Sequence, residues 1–244
     1  MVKAYVDGDV VIYRAALNAE TICDWGDDLW SIAADLREGQ GHFTCTLADI
    51  AADLGISRED VVVCVSCNGP TFRHELHPAY KANRTGRKPL IFRALRDWTV
   101  EQGALRWDRL EADDVLGILG TRDPESIIVT IDKDLKSVPG NHWNPDKKEN
   151  GVVKVGQDEA DFFFLTQAIA GDSTDNYKGV PGMGMVKAKR LLEKEGASWQ
   201  TVVDAYAKAD LPESEALLNA RMARILRDSD WNRKKNTVTL WNPA

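Results

Sequence analysis

Long apolar runs, paired cysteines, clustered histidines and a net positive charge are all missing from this chain, and each absence removes a class of protein. No apolar stretch approaches the roughly 18 residues that a membrane-spanning helix needs, and Met1-Val2-Lys3-Ala4-Tyr5 runs straight into strand-like residues without a signal-peptide pattern. A cytoplasmic protein with no membrane partner is expected. Only four cysteines occur in 244 residues, so no disulfide framework holds the fold together. Cys64-x-x-Cys67 has the spacing of a zinc or redox pair, but no second pair or nearby histidine completes it. Its plain reading is a strand, Val61 to Val65, with cysteine as a small hydrophobe. Internal repeats and low-complexity linkers are also lacking. With 43% hydrophobic and 28% charged residues, the composition is that of an ordinary globular protein, and the length suits one large domain, or a core with a small appendage. A net charge of −7 opposes any general attraction to nucleic acid.

What the chain does have is acidic residues in tight groups. Asp7 and Asp9 follow a short apolar run; Glu111-Ala112-Asp113-Asp114, Asp132-Lys133-Asp134 and Asp172-Ser173-Thr174-Asp175 come later. Like charges gathered at one place repel and take up protons unless a strong cation sits among them. Four such groups point to a divalent-metal site, and oxygen-only donors favour Mg²⁺ or Mn²⁺ over zinc. Any one group alone reads equally as an acidic helix start that complements the helix dipole.

Val2 to Val6, Val61 to Val65 and Ile127 to Ile131 read as buried strands separated by helical segments, the signature of an α/β fold. Asp7 and Asp132 each stand just after such a run, where open α/β sheets bind ligands. A short helix is predicted from about Glu111 through Leu119, with Glu111 and Asp114 on one face. Ser214 to Arg227 predicts an amphipathic helix with Leu217, Leu218, Met222, Ile225 and Leu226 inward.

Positive charge is concentrated elsewhere. Between Arg73 and Arg96 lie Lys81, Arg84, Arg87, Lys88 and Arg93, opposed only by Glu75. This stripe suits a phosphate backbone, although a solvated basic surface is the plainer alternative. After the helix-like Leu165 to Ala170, the six-residue stretch Gly179-Val180-Pro181-Gly182-Met183-Gly184 precedes Lys187, Lys189 and Arg190. Glycine-rich turns at a helix start expose backbone N–H groups to a phosphate without reading sequence.

In order, Val6-Asp7-Gly8, Thr71-Phe72-Arg73-His74-Glu75-Leu76 through Pro78-Ala79-Tyr80-Lys81-Ala82-Asn83-Arg84, Leu110 to Val115, Thr130 to Leu135, and Ala170 to Gly184 resemble the motifs of the 5′-nuclease family. That family comprises the 5′→3′ exonuclease domain of bacterial DNA polymerase I, the stand-alone bacteriophage 5′-exonucleases and the flap endonucleases. The resemblance covers nearly the whole chain and is strongest to the stand-alone bacteriophage form, which implies host-cell cytoplasm. It implies a PIN-like, twisted, mainly parallel sheet flanked by helices, with a helical arch over residues 70–98 and a C-terminal helix-three-turn-helix (helix–hairpin–helix) element. A catalytic core over 1–165 and a DNA-binding region over 166–244 are expected.

The implied reaction is two-metal hydrolysis of DNA near a free 5′ end, flap or nick, by a monomer, with RNA–DNA hybrid as a further substrate. By position, the metal ligands would be Asp7, Glu111, Asp113, Asp114, Asp132, Asp134, Asp172 and Asp175, for two Mg²⁺ ions that Mn²⁺ can replace. Lys81, Arg84 and Arg14 would meet the scissile phosphate, and Tyr80 would stack on a terminal base. Arg73, Arg87, Lys88, the backbone of Gly179, Val180, Gly182 and Gly184, and Lys187 and Lys189 would hold DNA, with K⁺ at the hairpin. Arg14 has a surface salt bridge as its competing explanation. The chain departs from the pattern at Ser66 or Cys67, where many members carry an aspartate after the second strand, and by a shift of the hairpin lysine to Lys187. The first departure keeps open a catalytically weakened protein that binds 5′ junctions, and an RNA-primer-removing nuclease is the other alternative.

Overall fold

Residues 2–243 are described by a computed structural model. Ala4–Asp7 (β1) is buried throughout and passes directly into Gly8–Asn18 (α1). The immediate turn depends on Gly8, where a Cβ would lie 2.5 Å from Val63 and 2.7 Å from the Cys64 carbonyl of the neighbouring strand. An exposed hairpin follows, Glu20–Asp24 (β2) and Trp30–Ala34 (β3), which leads into the long helix Leu36–Leu54 (α2). Val61–Val65 (β4), Phe72–Leu76 (α3), Phe92–Glu101 (α4), Leu105–Arg106 (β5) and Ala112–Arg122 (α5) come next. Ile127–Val129 (β6), Gly140–Trp143 (β7) and Val153–Val155 (β8) complete the main sheet.

Its strand order is β5-β4-β1-β6-β7-β8, parallel except for the β7–β8 pair. The chain thus builds first to one side of β1 and then, with β6, to the other. This reversal opens a crevice at the carboxyl ends of β1 and β6, where Asp7 and Thr130 to Asp132 stand. One face is covered by α1, α2 and α4, with Ile12, Ala15, Phe43, Leu47 and Leu95 in the core. The other is covered by α5, whose Leu116 and Ile118 pack with Tyr5, Ile128, Ile225 and Leu226.

Gln157–Ala170 (α6) is a single helix that crosses position 165. A two-stranded ribbon, Gly171–Asp172 (β9) and Tyr177–Lys178 (β10), then leads through the Gly179–Gly184 loop into Met185–Glu195 (α7). Trp199–Ala207 (α8) and Glu213–Ala223 (α9) close a separate apolar cluster around Phe164 and Tyr206. A last ribbon, Trp231–Asn232 (β11) and Thr237–Val238 (β12), sets Trp231 against Trp107. The predicted terminal helix stops at Ala223, and Arg224 to Arg227 continue buried but non-helical. Among the described residues, no helix is long and apolar enough to cross a membrane.

The predicted arch is corrected in part. Its second leg is helical as α4, but residues 77–91 form turns and an extended stretch rather than a helix. Pro78, Gly86 and Pro89 break any helix there, and the segment is instead tied to the β9–β10 connection. Lys81 N donates to the Asp175 carbonyl at 3.0 Å, Asn83 Nδ2 to the Ser173 carbonyl at 2.8 Å, and Asn176 Nδ2 to the Ala79 carbonyl at 2.7 Å.

Candidate active site

Asp7, Asp132 and Glu111 stand within electrostatic reach of Asp113; Asp132 and Asp172 stand within reach of Asp134; and Asp175 is tied to Glu111 through Tyr80 and Lys81. Asp7, 5% exposed, caps α1 and receives the Thr130 hydroxyl at 3.4 Å. That hydroxyl also accepts the Asp132 amide at 3.0 Å, and Asp132 Oδ1 accepts the Asp134 amide at 2.8 Å. Asp113 faces the same place from the first turn of α5. Asp172 holds the β9–β10 turn by accepting the Thr174 and Asp175 amides at 2.6 and 3.3 Å.

The charges act on one another. Burial, and then the charges of Asp9 and Asp132, push the Asp7 carboxyl up to about 7. Burial together with Asp7, Asp132 and Glu111 drives Asp113 well above the usual carboxylate range. Asp134 is raised by burial and by Asp132, with Asp172 adding to it. A cluster that holds protons in this way is under electrostatic tension that a cation relieves. Among the described residues, no three His, Cys, Asp or Glu side chains stand close enough to cage an ion by themselves. The fit is therefore one of concentrated negative charge on hard oxygen donors. A hard divalent cation that retains part of its water suits that arrangement.

Asp114 does not join them, which corrects the expected ligand set. It is 0% exposed and points into the core, where both oxygens pair with Arg73 at 2.7 and 2.8 Å. The same pairing corrects the role expected of Arg73. At 3% exposure it is shut off from solvent, and its other N–H groups go to the carbonyls of Met222 and Arg224 at 3.0 and 2.6 Å and to Glu111 at 3.3 Å. Glu111, at the N-cap of α5, stands between core and crevice. Burial would raise its carboxyl, but Arg73 and Lys81 together outweigh that and hold it low.

Tyr80 is also corrected. It is 3% exposed, so its ring is not free to stack on a base. Its hydroxyl bridges Glu111 at 2.8 Å and Asp175 at 2.9 Å. Lys81, at a positive φ of 56°, places its ammonium 2.5 Å from Glu111 and 3.7 Å from Asp175, and Arg84 pairs with Asp175. The basic turn is thus latched onto the acidic cluster.

The other basic residues are scattered. Arg14 pairs with Asp146 at 2.6 Å, beside a 160 Å³ cavity that Asp7 and Thr130 also line; this is the salt bridge foreseen as its alternative. Arg87 grips Glu20 at 2.8 and 2.7 Å, and Lys88 lies over the Phe92 ring. At the Gly-rich loop, the Val180 amide is spent on the Ile169 carbonyl at 2.8 Å and is unavailable to a phosphate. Gly182 and Gly184 are exposed, Gly179 is partly so, and Lys189 is exposed and pairs with Glu193 at 3.7 Å. Lys187 folds back onto the Gly182 carbonyl at 2.9 Å. Cys64 is buried and its thiol is raised by that burial, so it is a core hydrophobe and not a thiolate ligand. Sequence reading assigned no part to Thr130 and counted Arg96 only as the end of the basic stripe. The first carries no charge signal, and the second was one of many arginines.

A carboxylate cluster thus stands at the switch point of a mainly parallel sheet, with a basic turn latched over it. Residues 4–144 match the family described as 5′-3′ exonuclease, N-terminal resolvase-like domain, and the chain belongs to that family. It is 25% identical to an exodeoxyribonuclease of Enterobacteria phage T3 and 24% identical to an exonuclease of Escherichia phage T7, each match covering 98% of this chain and 92% of the relative. Its fold is similar to that of T5 5′-exonuclease, solved with zinc ions, at a TM-score of 0.68 and 16% identity over 91% of this chain and 89% of the other.

Proposed function

We propose that this chain is a 5′→3′ exonuclease and flap endonuclease that hydrolyses DNA phosphodiester bonds near free 5′ ends. The observation that carries the reading is the convergence of Asp7, Glu111, Asp113, Asp132, Asp134, Asp172 and Asp175 under the Lys81–Arg84 turn. When bound, two Mg²⁺ ions, or Mn²⁺ in their place, supply an activated water and stabilise the leaving oxygen. The carboxylates hold them. Lys81 and Arg84, now paired with Glu111 and Asp175, exchange those partners for the scissile phosphate, and Tyr80 keeps Glu111 and Asp175 in register. The α6–loop–α7 unit serves as the helix–hairpin–helix that grips duplex backbone through Gly182 and Gly184, with Lys187 and Lys189 alongside. A K⁺ ion there has a competitor, since the Lys187 ammonium already takes the Gly182 carbonyl. The protein acts as a cytoplasmic monomer, and RNA annealed to DNA falls within reach of the same chemistry.

Ser66 or Cys67, in place of an aspartate, favours one other reading, a junction-binding protein with little turnover. Cleavage of a 5′-labelled DNA flap and of a blunt duplex, in Mg²⁺ or EDTA, separates the two. Metal-dependent products that vanish in Asp132→Ala are expected, with DNA binding largely kept. Tight flap binding without products in the unaltered chain would overturn the nuclease.

A further inference from the structure

The 160 Å³ cavity beside Asp7 has no part in the chemistry described above, and protein interiors hold few voids larger than a water molecule. Along α1 it is bordered by Asp7, Val10, Val11, Arg14, Ala15 and Asn18, spaced three and four apart so that they share one helix face. Thr46 and Ile50 of α2 face them, and Thr130, Ile131 and Pro145 close the side next to β6. One end therefore meets the carboxylate cluster. The other, at Arg14 and Asn18, is exposed.

Most of the polar groups along this wall are already spent. The Arg14 guanidinium is bound through two N–H groups to Asp146 at 2.7 and 2.6 Å, which also ties α1 to the segment after β7. The Thr46 hydroxyl donates to the His42 carbonyl of its own helix at 2.9 Å, and the Thr130 hydroxyl donates to Asp7 at 3.4 Å. A phosphate would find no free cation here, and Asp7 and Asp146 would repel it. What the cavity offers is shape and apolar contact from Val10, Val11, Ile50, Ile131 and Pro145. An apolar cavity of about 150 Å³ admits one benzene ring, so this one has room for a single six-membered ring and not for the fused rings of a purine.

We infer that the cavity between α1 and α2 receives a pyrimidine base of the substrate strand, from the unpaired nucleotide beside the scissile phosphate. This rests on the nuclease reading above and adds to it a preference at one position. The apolar walls take the faces of the ring, and Asn18 at the far end supplies a donor and an acceptor for its polar edge. Ala15 and Thr46, both short, border the space from the two helices, and a larger side chain at Thr46 would fill it.

The test is competition in Mg²⁺ between labelled DNA flaps that differ only in the unpaired nucleotide next to the junction, which is thymidine, deoxyadenosine or an abasic residue. Two flaps in one tube give a ratio of kcat/KM that depends on neither protein concentration nor folded fraction. The thymidine flap is expected to be cut about tenfold more efficiently than the abasic one, as burial of one ring allows, and more efficiently than the deoxyadenosine flap. Thr46→Phe fills the cavity and breaks no hydrogen bond outside α2; it is expected to cut all three alike. Thr46→Leu takes its place if thermal melting shows that it does not fold. Equal ratios for thymidine and abasic flaps in the unaltered chain, a lead for deoxyadenosine, or a thymidine preference that survives in Thr46→Phe overturns the base pocket and leaves the nuclease standing. If no flap is cut, the nuclease reading falls, and fluorescence anisotropy of the same three flaps decides the pocket by the same ratios of affinity.

Discussion

Raising the pH of the metal-free protein should destabilise it, and Asp7 sets the size of the effect. An aspartate that ordinarily titrates near 3.8 is held up to about 7 by burial and by its acidic neighbours. Because the folded value is the higher one, the folded state binds more protons between the two. The stability Asp7 contributes is fully present below 3.8 and is lost as pH rises through 7. Three pH units at 1.36 kcal/mol each give a ceiling of about 4 kcal/mol, or about 10 °C in melting temperature for a chain of this size. Asp113, raised by burial and the same neighbours, acts in the same direction. His142 opposes them below 6.5, because burial pushes its imidazole down, so the part of the slope free of it runs from pH 6.5 to about 7.5 and amounts to about 1 kcal/mol, or about 2–3 °C. Carboxylates held low by cations, such as Glu111, lose their contribution only at acid pH and leave that window clean. The assay is calorimetric melting in EDTA across the window, beside Asp7→Asn, which retains the cap on the Val10 amide without the titrating charge. A falling melting temperature in the unaltered chain is expected, with a flatter profile in Asp7→Asn and a flatter one again under saturating Mg²⁺. A profile that is level or rises with pH, or an equal slope in Asp7→Asn, would refute the electrostatic account of the cluster.

Two further variants probe the scaffold. Arg73→Met strands Asp114 without its cation in the core and should cost about 3–5 kcal/mol in urea unfolding, whereas adding Asp114→Leu should recover much of it; a neutral single variant would contradict the buried pair. Gly179→Ala places a Cβ 2.2 Å from the Ile169 carbonyl, so about 1–3 kcal/mol of overpacking is expected. Salt titration of flap binding should show weaker affinity for that variant, and unchanged binding would remove the loop from the DNA contact.

The acidic cluster was legible because its signal is one of residue type. Aspartates after apolar runs mark strand ends, and the sheet brings strand ends together whatever the loops do. The division of labour within Glu111-Ala112-Asp113-Asp114 was not legible. The helical phase correctly put Glu111 and Asp114 on one face, but whether that face looks at the crevice or at the core depends on Arg73, 41 residues away from Asp114. Counting positive charges likewise could not separate Arg73, desolvated at the heart of the molecule, from Arg84 at the surface. Tyr80 fails in the same way: an aromatic ring beside lysines suggests stacking, while its burial is decided by α6 to α9, which pack from the other end of the sequence.

These failures share a cause that bears on how the site is held. Arg73 and Asp114 are fixed by backbone from the last tenth of the chain: the Met222 and Arg224 carbonyls accept from the guanidinium, and the Leu226 amide donates to Asp114 at 3.2 Å. Arg73 in turn reaches Glu111 at 3.3 Å, and Glu111 is bonded to Lys81 and Tyr80 at the mouth of the crevice. A continuous polar chain therefore runs from the end of α9 through the core to the basic turn. A buried network of this kind is stable only when every member is satisfied. The first turn of α5, which carries Glu111 and Asp113, is held in part by the C-terminal segment. The C-terminal region, expected from sequence to serve DNA binding alone, is thus also structural support for the carboxylates 100 residues and more before it. That explains why Arg224 and Arg227 continue past α9 as a buried, non-helical segment instead of extending the predicted helix: their backbone is needed as donors and acceptors for the Arg73–Asp114 pair and its surroundings, and a further helical turn would have consumed those groups internally.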